Sequence, residues 1–390
     1  MGTTIAVVTA TRAEYGLLLP VIRALRKRES DALRVELIVT GTHLSEAYGR
    51  TIRDIEADGT RIDREIPIPV ASSSPEDISA NQAETLRRFT ELFARQAYGG
   101  VILLGDRYET LAVAVAAGNT RTPVFHLCGG DTTEGAMDEW IRHAITKIAY
   151  LHFVTNEDSR RRVIQLGEDP ARVFNCGSTS IDNIKTLADM TKAEALDSIG
   201  LPDCRYAIGT YHPVTMEGGS VDGKIAALLE AFGRFPELTF ILTKSNADQG
   251  GARINELLDE AAGRLPNLRV FASLGVRRYL SLMKHAELVV GNSSSGVIET
   301  PAFRVPTVNI GDRQRGRLRS ESVIDCGEDA DAIAEAIRTA LSPAHRAVCA
   351  GVVSPYGDGH AGEQIAATVA DVILNGRIDL KKKFFDLPQP

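Results

Sequence analysis

Short runs of Val, Ile and Leu alternate with longer stretches of helical spacing along nearly all of this 390-residue chain. In the first half the apolar runs are IAVVTA (5–10), VELIVTG (35–41), GVILLGD (100–106), PVFHLCGG (123–130), LHFVTN (151–156) and VFNCG (173–177). Helical periodicity separates them at 18–28, 46–58, 77–97, 109–119, 137–149 and 157–166. A second series follows: YAIGTYH (206–212), LTFILTKS (238–245), LRVFA (268–272), ELVVGNS (287–293) and PTVNIG (306–311). Its helices are expected at 222–234, 250–264, 276–285, 294–303 and 329–340. Strands that are apolar throughout are buried on both faces, and helices between them require parallel pairing. Two such series predict an α/β chain of two Rossmann-like, doubly wound parallel-sheet domains. The change falls in the polar stretch 180–205, which sets the domains at 1–185 and 186–360. The remainder, 361–390, is expected to form a helix packing back across the domains and a loosely attached tail, KKKFFDLPQP.

Ligands of open α/β sheets bind beyond the carboxyl ends of the strands. Arg12, Asp106, Arg107, His126, Asp131, His212, Lys244, Ser293 and Ser294 all sit at such ends. Two domains loaded in this way predict a cleft between them, the GT-B architecture of nucleotide-sugar glycosyltransferases. Composition narrows the partners. A net charge of −7 argues against nucleic acid or an anionic membrane, so positive charge for a phosphate must be concentrated locally. Five scattered cysteines without CxxC spacing suggest reduced thiols, with neither a disulfide framework nor a zinc site. The start, MGTTIAVVTA, reads as a first strand, and no apolar run reaches bilayer length. A cytoplasmic protein without metal or cofactor is expected.

The run GNSSSGVIE (291–299) carries the strongest chemical signal. Small hydroxyl residues between a buried strand and a helix offer free N–H groups and the positive helix end to an anion. The plain alternative is an ordinary N-cap serine. His212 in TYHP and the basic segment with Arg313, Gln314 and Arg317 flank it, a set suited to a nucleoside diphosphate without magnesium. Glu299 fits ribose hydroxyls better than phosphate, or is a solvent-facing helix residue. His212 is either a ligand or a strand-end histidine satisfied by a carbonyl. The first domain holds acids: Asp106 beside Arg107, then Asp131, Glu134, Asp138, Glu139, Arg142 and His143 in one loop-to-helix segment. Clustered carboxylates suit paired acid and base work. Asp131 or Glu134 serves equally as a cap for the helix at 137.

TATRAEYG (9–16), GDRYE (105–109), GGDTTEGAMDEWIRHAITK (129–147), HPVT (212–215), GNSSSGVIE (291–299) and NIGDRQRGR (309–317) occur in the order of a known family. The chain resembles the hydrolysing UDP-N-acetylglucosamine 2-epimerases of sialic-acid and related nonulosonic-acid pathways. HLCGG and MDEWIRH stand where the non-hydrolysing relatives carry other motifs. The resemblance implies anti elimination of UDP to a 2-acetamidoglucal, then hydration to N-acetylmannosamine or an analogue. UDP-N-acetylglucosamine is the expected substrate, with a UDP-2,4-diacetamido-6-deoxy sugar as alternative. It also implies a homodimer or homotetramer.

The resemblance gives Arg12, His212, Ser293, Ser294 and Arg313 as diphosphate contacts and Glu299 as ribose contact. It places uracil near Phe271 to Leu274, held by backbone groups, and Arg107 beside the sugar. Asp106 and Asp138 match family acids, and His143, Lys244, Asn246 and Asn292 complete the expected substrate shell. Cys128 stands where the sialic-acid enzymes carry a catalytic glutamate, a departure shared by members acting on modified sugars. Asp131 or Glu134 is then expected to supply the missing carboxylate. A glycosyltransferase of the same architecture, a non-hydrolysing epimerase and a non-catalytic nucleotide-sugar sensor are the competing readings.

Overall fold

The computed structural model describes residues 2–71, 74–133, 137–213, 220–245, 251–376 and 378–387. The chain divides into two compact units, Met1–Asp182 with Tyr356–Pro390, and Asn183–Pro355. Each holds one all-parallel sheet covered by helices.

The strands of the first unit are β1 Thr3–Thr9, β2 Leu33–Thr40, β3 Arg64–Ile66, β4 Gly100–Leu104, β5 Val124–Leu127, β6 Leu151–Val154 and β7 Val173–Asn175. They lie in the order β3-β2-β1-β4-β5-β6-β7. The second unit has β8 Tyr206–Thr210, β9 Thr239–Thr243, β10 Leu268–Phe271, β11 Leu288–Gly291, β12 Thr307–Ile310 and β13 Val323–Cys326, ordered β10-β9-β8-β11-β12-β13. Both orders run outward from a central pair in two directions, so each sheet has one switch point, at β1/β4 and at β8/β11. Of the central strands, β4, β8 and β11 are buried along their whole length and β1 from Ile5 onward, which is why they read as unbroken apolar runs. The short edge strands β3 and β13 carry Arg64, Glu65 and Asp325 and escape that pattern.

Several boundaries differ from expectation. The first helix begins at Arg12, because Thr11 and Glu14 form a reciprocal capping box. The helix expected over 46–58 is one 3₁₀ turn, Glu46–Tyr48, and the short helix Ile52–Ala57, broken where Gly49 takes φ 79°. The helix expected over 294–303 is two single turns, Ser295–Ile298 and Thr300–Phe303. Pro301 lacks the N–H that would continue the ladder between them. The helix Ala361–Leu374 lies on Arg12–Arg26 within the first unit, so closely that a Cβ on Gly362 would meet Pro20 at 2.8 Å. Asp182 accepts from its first N–H groups, Ala361 at 3.1 Å and Gly362 at 2.8 Å.

The tail is anchored rather than loose. Lys382 Nζ donates to the carbonyls of Lys147 and Ala149 and pairs with Glu168 at 2.5 Å, while Phe385 N–H donates to Gly167 O. Glu168 is 1% exposed, so Lys382 completes a buried charge pair that a sequence pattern cannot display. No described helix is long and apolar enough to cross a membrane.

Candidate active site

In the second unit the functional candidates gather at the β8/β11 switch point. Gly291, ending β11, has φ 144°, and a Cβ there would collide with the Thr210 carbonyl, so glycine lets the two central strands end in close approach. The next residue, Asn292, is fully buried. Its Oδ1 accepts from His212 N–H at 2.7 Å and its Nδ2 donates to His212 O at 2.8 Å. Its own carbonyl accepts from Arg313 at 3.1 Å and Gln314 at 2.9 Å. Asn292 thereby joins the ends of β8 and β11 to the loop after β12.

The His212 ring meets Ser245 Oγ at 3.2 Å. Burial, helped by the Arg313 charge, pushes its pKa down to about 4, so the imidazole is neutral at pH 7. Ser293 and Ser294 are half-buried, and the Ser294 carbonyl accepts from Val297 and Ile298 N–H groups. Ser295 Oγ bridges Ser293 and the Tyr279 hydroxyl. Burial raises the Glu299 carboxyl to about 7. Phe271 ends β10, and Leu274 is buried, its carbonyl accepting from Arg278 Nε at 2.7 Å. Lys244 is paired with Asp259 at 2.5 Å. Asn246 lies outside the described residues.

The first unit collects its candidates around β1/β4. Asp106 follows β4 and is ion-paired with Arg142, which reaches it from the helix Met137–Ile148. Arg142 also donates to Asp131 O, Glu139 Oε2 and Thr133 Oγ1 and is 2% exposed, so it ties Asp131 and Thr133 to its helix. His126 Nε2 holds Gly105 O at 2.8 Å, fixing the turn before Asp106, and burial pushes this histidine down to about 3. Arg107 Nε donates to Glu109 at 2.6 Å. Asp131 Oδ1 accepts from Thr155 at 2.7 Å and Ser159 at 2.6 Å. Asp138 is half-buried in the first turn of its helix, and His143 Nε2 meets Glu139 at 3.2 Å. Arg12 is exposed at the start of its helix. Glu134 lies outside the described residues.

Cys128 directly follows β5 with φ 65°, a left-handed conformation uncommon for a residue bearing a Cβ. A Cβ on Gly130 would collide with Ser159 O, so the CGG turn is pressed against the helix Glu157–Gln165. Sequence reasoning placed Arg142 in the acidic loop-to-helix segment without giving it a role, and did not single out Glu14 or Glu109. The T-x-x-E capping spacing was the available signal for Glu14; none marks the tertiary pairing of Arg142 with Asp106. Among the described residues no three His, Cys, Asp or Glu side chains gather as metal ligands.

A sequence profile of UDP-N-acetylglucosamine 2-epimerase matches residues 23–370. The chain is 38% identical to the GDP/UDP-N,N'-diacetylbacillosamine 2-epimerase (hydrolyzing) of Campylobacter jejuni, over 82% of this chain and 83% of that one. It is 36% identical to the polysialic acid biosynthesis protein P7 of Escherichia coli, over 98% and 97%. The UDP-N,N'-diacetylbacillosamine 2-epimerase (hydrolyzing) of Legionella pneumophila is 34% identical, over 95% and 96%. Among solved structures, the UDP-GlcNAc 2-epimerase of Neisseria meningitidis bound to UDP-GlcNAc aligns with a TM-score of 0.81 at 19% identity, covering 95% of this chain and all of that one. A likeness at that identity speaks for the fold, while the profile spans both units from residue 23 onward. By that match the chain belongs to the UDP-N-acetylglucosamine 2-epimerase family.

Proposed function

We propose that this protein is a hydrolysing 2-epimerase of a UDP-linked 2-acetamido sugar, releasing UDP and the free manno-configured sugar. The observation that carries the reading is the Asn292 clamp, which gathers a neutral buried imidazole, a serine turn and Arg313 at one switch point. Such a set stabilises a departing diphosphate without a metal.

Carbon 2 of the sugar has no adjacent carbonyl, so its proton is poorly acidic and loss of UDP must run ahead of proton removal. Arg12, His212, Ser293, Ser294 and Arg313 take the diphosphate, Glu299 takes ribose hydroxyls, and uracil rests on backbone groups of Phe271 to Leu274. Asp106, fixed by Arg142, removes the carbon-2 proton, and Arg107 orients the sugar. Water then adds to the 2-acetamidoglucal at carbon 1, with Asp138 in the proton-transfer set for the opposite face. Asp131, whose Oδ1 is engaged by Thr155 and Ser159, holds the loop. Glu134 is the carboxylate assigned to replace the glutamate absent at Cys128.

The sugar proposed is a UDP-2,4-diacetamido-6-deoxy donor, because two of the relatives above carry that activity in their names. Plain UDP-N-acetylglucosamine is the second reading, favoured by a 30% identical Neisseria meningitidis UDP-N-acetylglucosamine 2-epimerase. Product analysis with each donor in deuterium oxide tests both. UDP release with deuterium at carbon 2 of a manno product is expected. UDP release without carbon-2 exchange, or turnover only with an acceptor sugar, would sink the reading.

A further inference from the structure

The helix Met137–Ile148 carries Asp138, Glu139 and Arg142 toward its start, and its far end is held by the C-terminal segment. The last carbonyls of a helix have no partner within it, and a cation there meets the negative end of the helix dipole. Lys382 supplies both the donor and the charge. Its Nζ donates to Lys147 O at 3.0 Å, Ala149 O at 2.7 Å and Glu168 Oε2 at 2.5 Å, which uses all three ammonium protons. Glu168 also accepts from Lys147 Nζ at 2.6 Å and meets His152 Nε2 at 3.0 Å, so one buried carboxylate joins the helix end to β6.

Further contacts lay the segment along the same surface. Asp379 N–H donates to the Tyr150 hydroxyl at 3.2 Å, and Phe385 N–H donates to Gly167 O at 2.9 Å. The Lys147 ammonium stands 4.9 Å from the centre of the Phe384 ring, which lies where a Cβ on Gly167 would collide with it. Each turn of an α-helix is hydrogen-bonded to the next, so a shift at one end is passed along the axis. Arg142 lies little more than one turn before Lys147 and pairs with Asp106, the group assigned to the carbon-2 proton.

We propose that the segment 378–387 is a strap that sets the position of the acid-bearing helix, with Lys382 as a positioning residue for the Arg142–Asp106 pair. The catalytic consequence rests on the function proposed above; the hold on the helix does not.

Two full-length variants test the strap. Lys382→Met keeps the apolar stem and removes the three donors, while Phe385→Pro removes the N–H that ties the segment to Gly167. Both are compared with wild type where circular dichroism shows them fully folded. In Lys382→Met kcat should fall roughly tenfold while UDP affinity holds within about twofold, and Phe385→Pro should follow with a smaller loss. Wild-type kcat in Lys382→Met, or equal losses of kcat and UDP affinity, overturns the positioning role. If Lys382→Met does not fold, Phe385→Pro decides by the same two readouts. Amide hydrogen exchange reads the hold on the helix directly. Peptides covering 142–150 should exchange roughly tenfold faster in the variants, while those of the helix Pro75–Arg95 keep wild-type rates. Equal acceleration in both helices marks a loss of global stability alone and overturns the strap. Absence of turnover in the wild type would instead count against the proposed function and leave hydrogen exchange to decide the strap.

Discussion

The side-chain amide of Asn292 hydrogen-bonds both backbone groups of His212, at 2.7 Å and 2.8 Å, across the switch point of the second sheet. A side chain that satisfies a buried N–H and a buried C=O together fixes the residue between them. The imidazole is therefore aimed by its backbone rather than by packing of the ring. Asn255 does the same for Ser245, accepting from its N–H at 2.8 Å and donating to its carbonyl at 3.3 Å. Both partners of the His212–Ser245 contact are thus held by asparagines.

Asn292→Ala should destabilise the protein by about 2–4 kcal/mol, since it leaves the His212 backbone groups buried and unpaired. UDP affinity should fall with it. Denaturant unfolding and UDP titration check the two effects; a variant with wild-type values in both would remove Asn292 from the site.

Asp106→Asn should abolish elimination while UDP binding stays near normal, because Asp106 is assigned to the carbon-2 proton of the sugar and not to the diphosphate. Arg142→Ala should cost about 3–5 kcal/mol, the usual loss when one partner of a buried ion pair is removed. Thermal unfolding and single-turnover kinetics separate the two substitutions. Strong loss of UDP binding in Asp106→Asn would contradict its role.

Stability should peak near neutral pH. His43, His126 and His212 are pushed down to about 4, 3 and 4 by burial, so the unfolded chain binds their protons first. Stability is then lost as pH falls from about 6.5 toward 4. Glu14 and Glu299 are raised to about 8 and 7, so the folded chain retains their protons longer, and stability declines as pH rises from about 4.5 through those values. Urea midpoints measured across this range should trace a dome. A midpoint still rising above pH 8 would contradict the assignment.

Lys382→Ala should destabilise the first unit by about 2 kcal/mol, through loss of a buried partner of Glu168. Burial opposes ionisation of Glu168, but hydrogen bonds from His152, Lys147 and Lys382 outweigh it and hold the carboxyl down at about 2. That contribution is present above about pH 4.5 and fades as pH falls toward 2. Unfolding of wild type and variant at neutral and acid pH should therefore converge on acidification.

Cys128→Ser should be tolerated, and Cys128→Gly should be neutral or stabilising by up to about 1 kcal/mol, because glycine takes φ 65° without a Cβ penalty. Turnover of both variants measures whether the thiol is needed. Complete loss in Cys128→Ser would return the cysteine to the reaction.

The chain's own pattern determined the α/β class, the central strands and the position of Asp106, Arg107, Asp131, His212, Lys244, Ser293 and Ser294 at a strand end or in the loop after it. These follow from local rules: continuous burial makes unbroken apolar runs, and helical spacing lies between them. The capping box at Thr11 and Glu14 was equally local, although the expected helix began at 18. Only the tertiary structure decided which strand ends adjoin. β1 meets β4 across some ninety residues of chain, and β8 meets β11 across about eighty. The Arg142–Asp106 pair, the Asn292 clamp, the inward turn of Asp131 and the Lys382 anchor all depend on such adjacency. Spacing along the chain carries no trace of it, because buried polar groups choose partners by where the sheet delivers them, and burial, joined at His212 by the Arg313 charge, moves His212 and Glu299 away from their ordinary charge states.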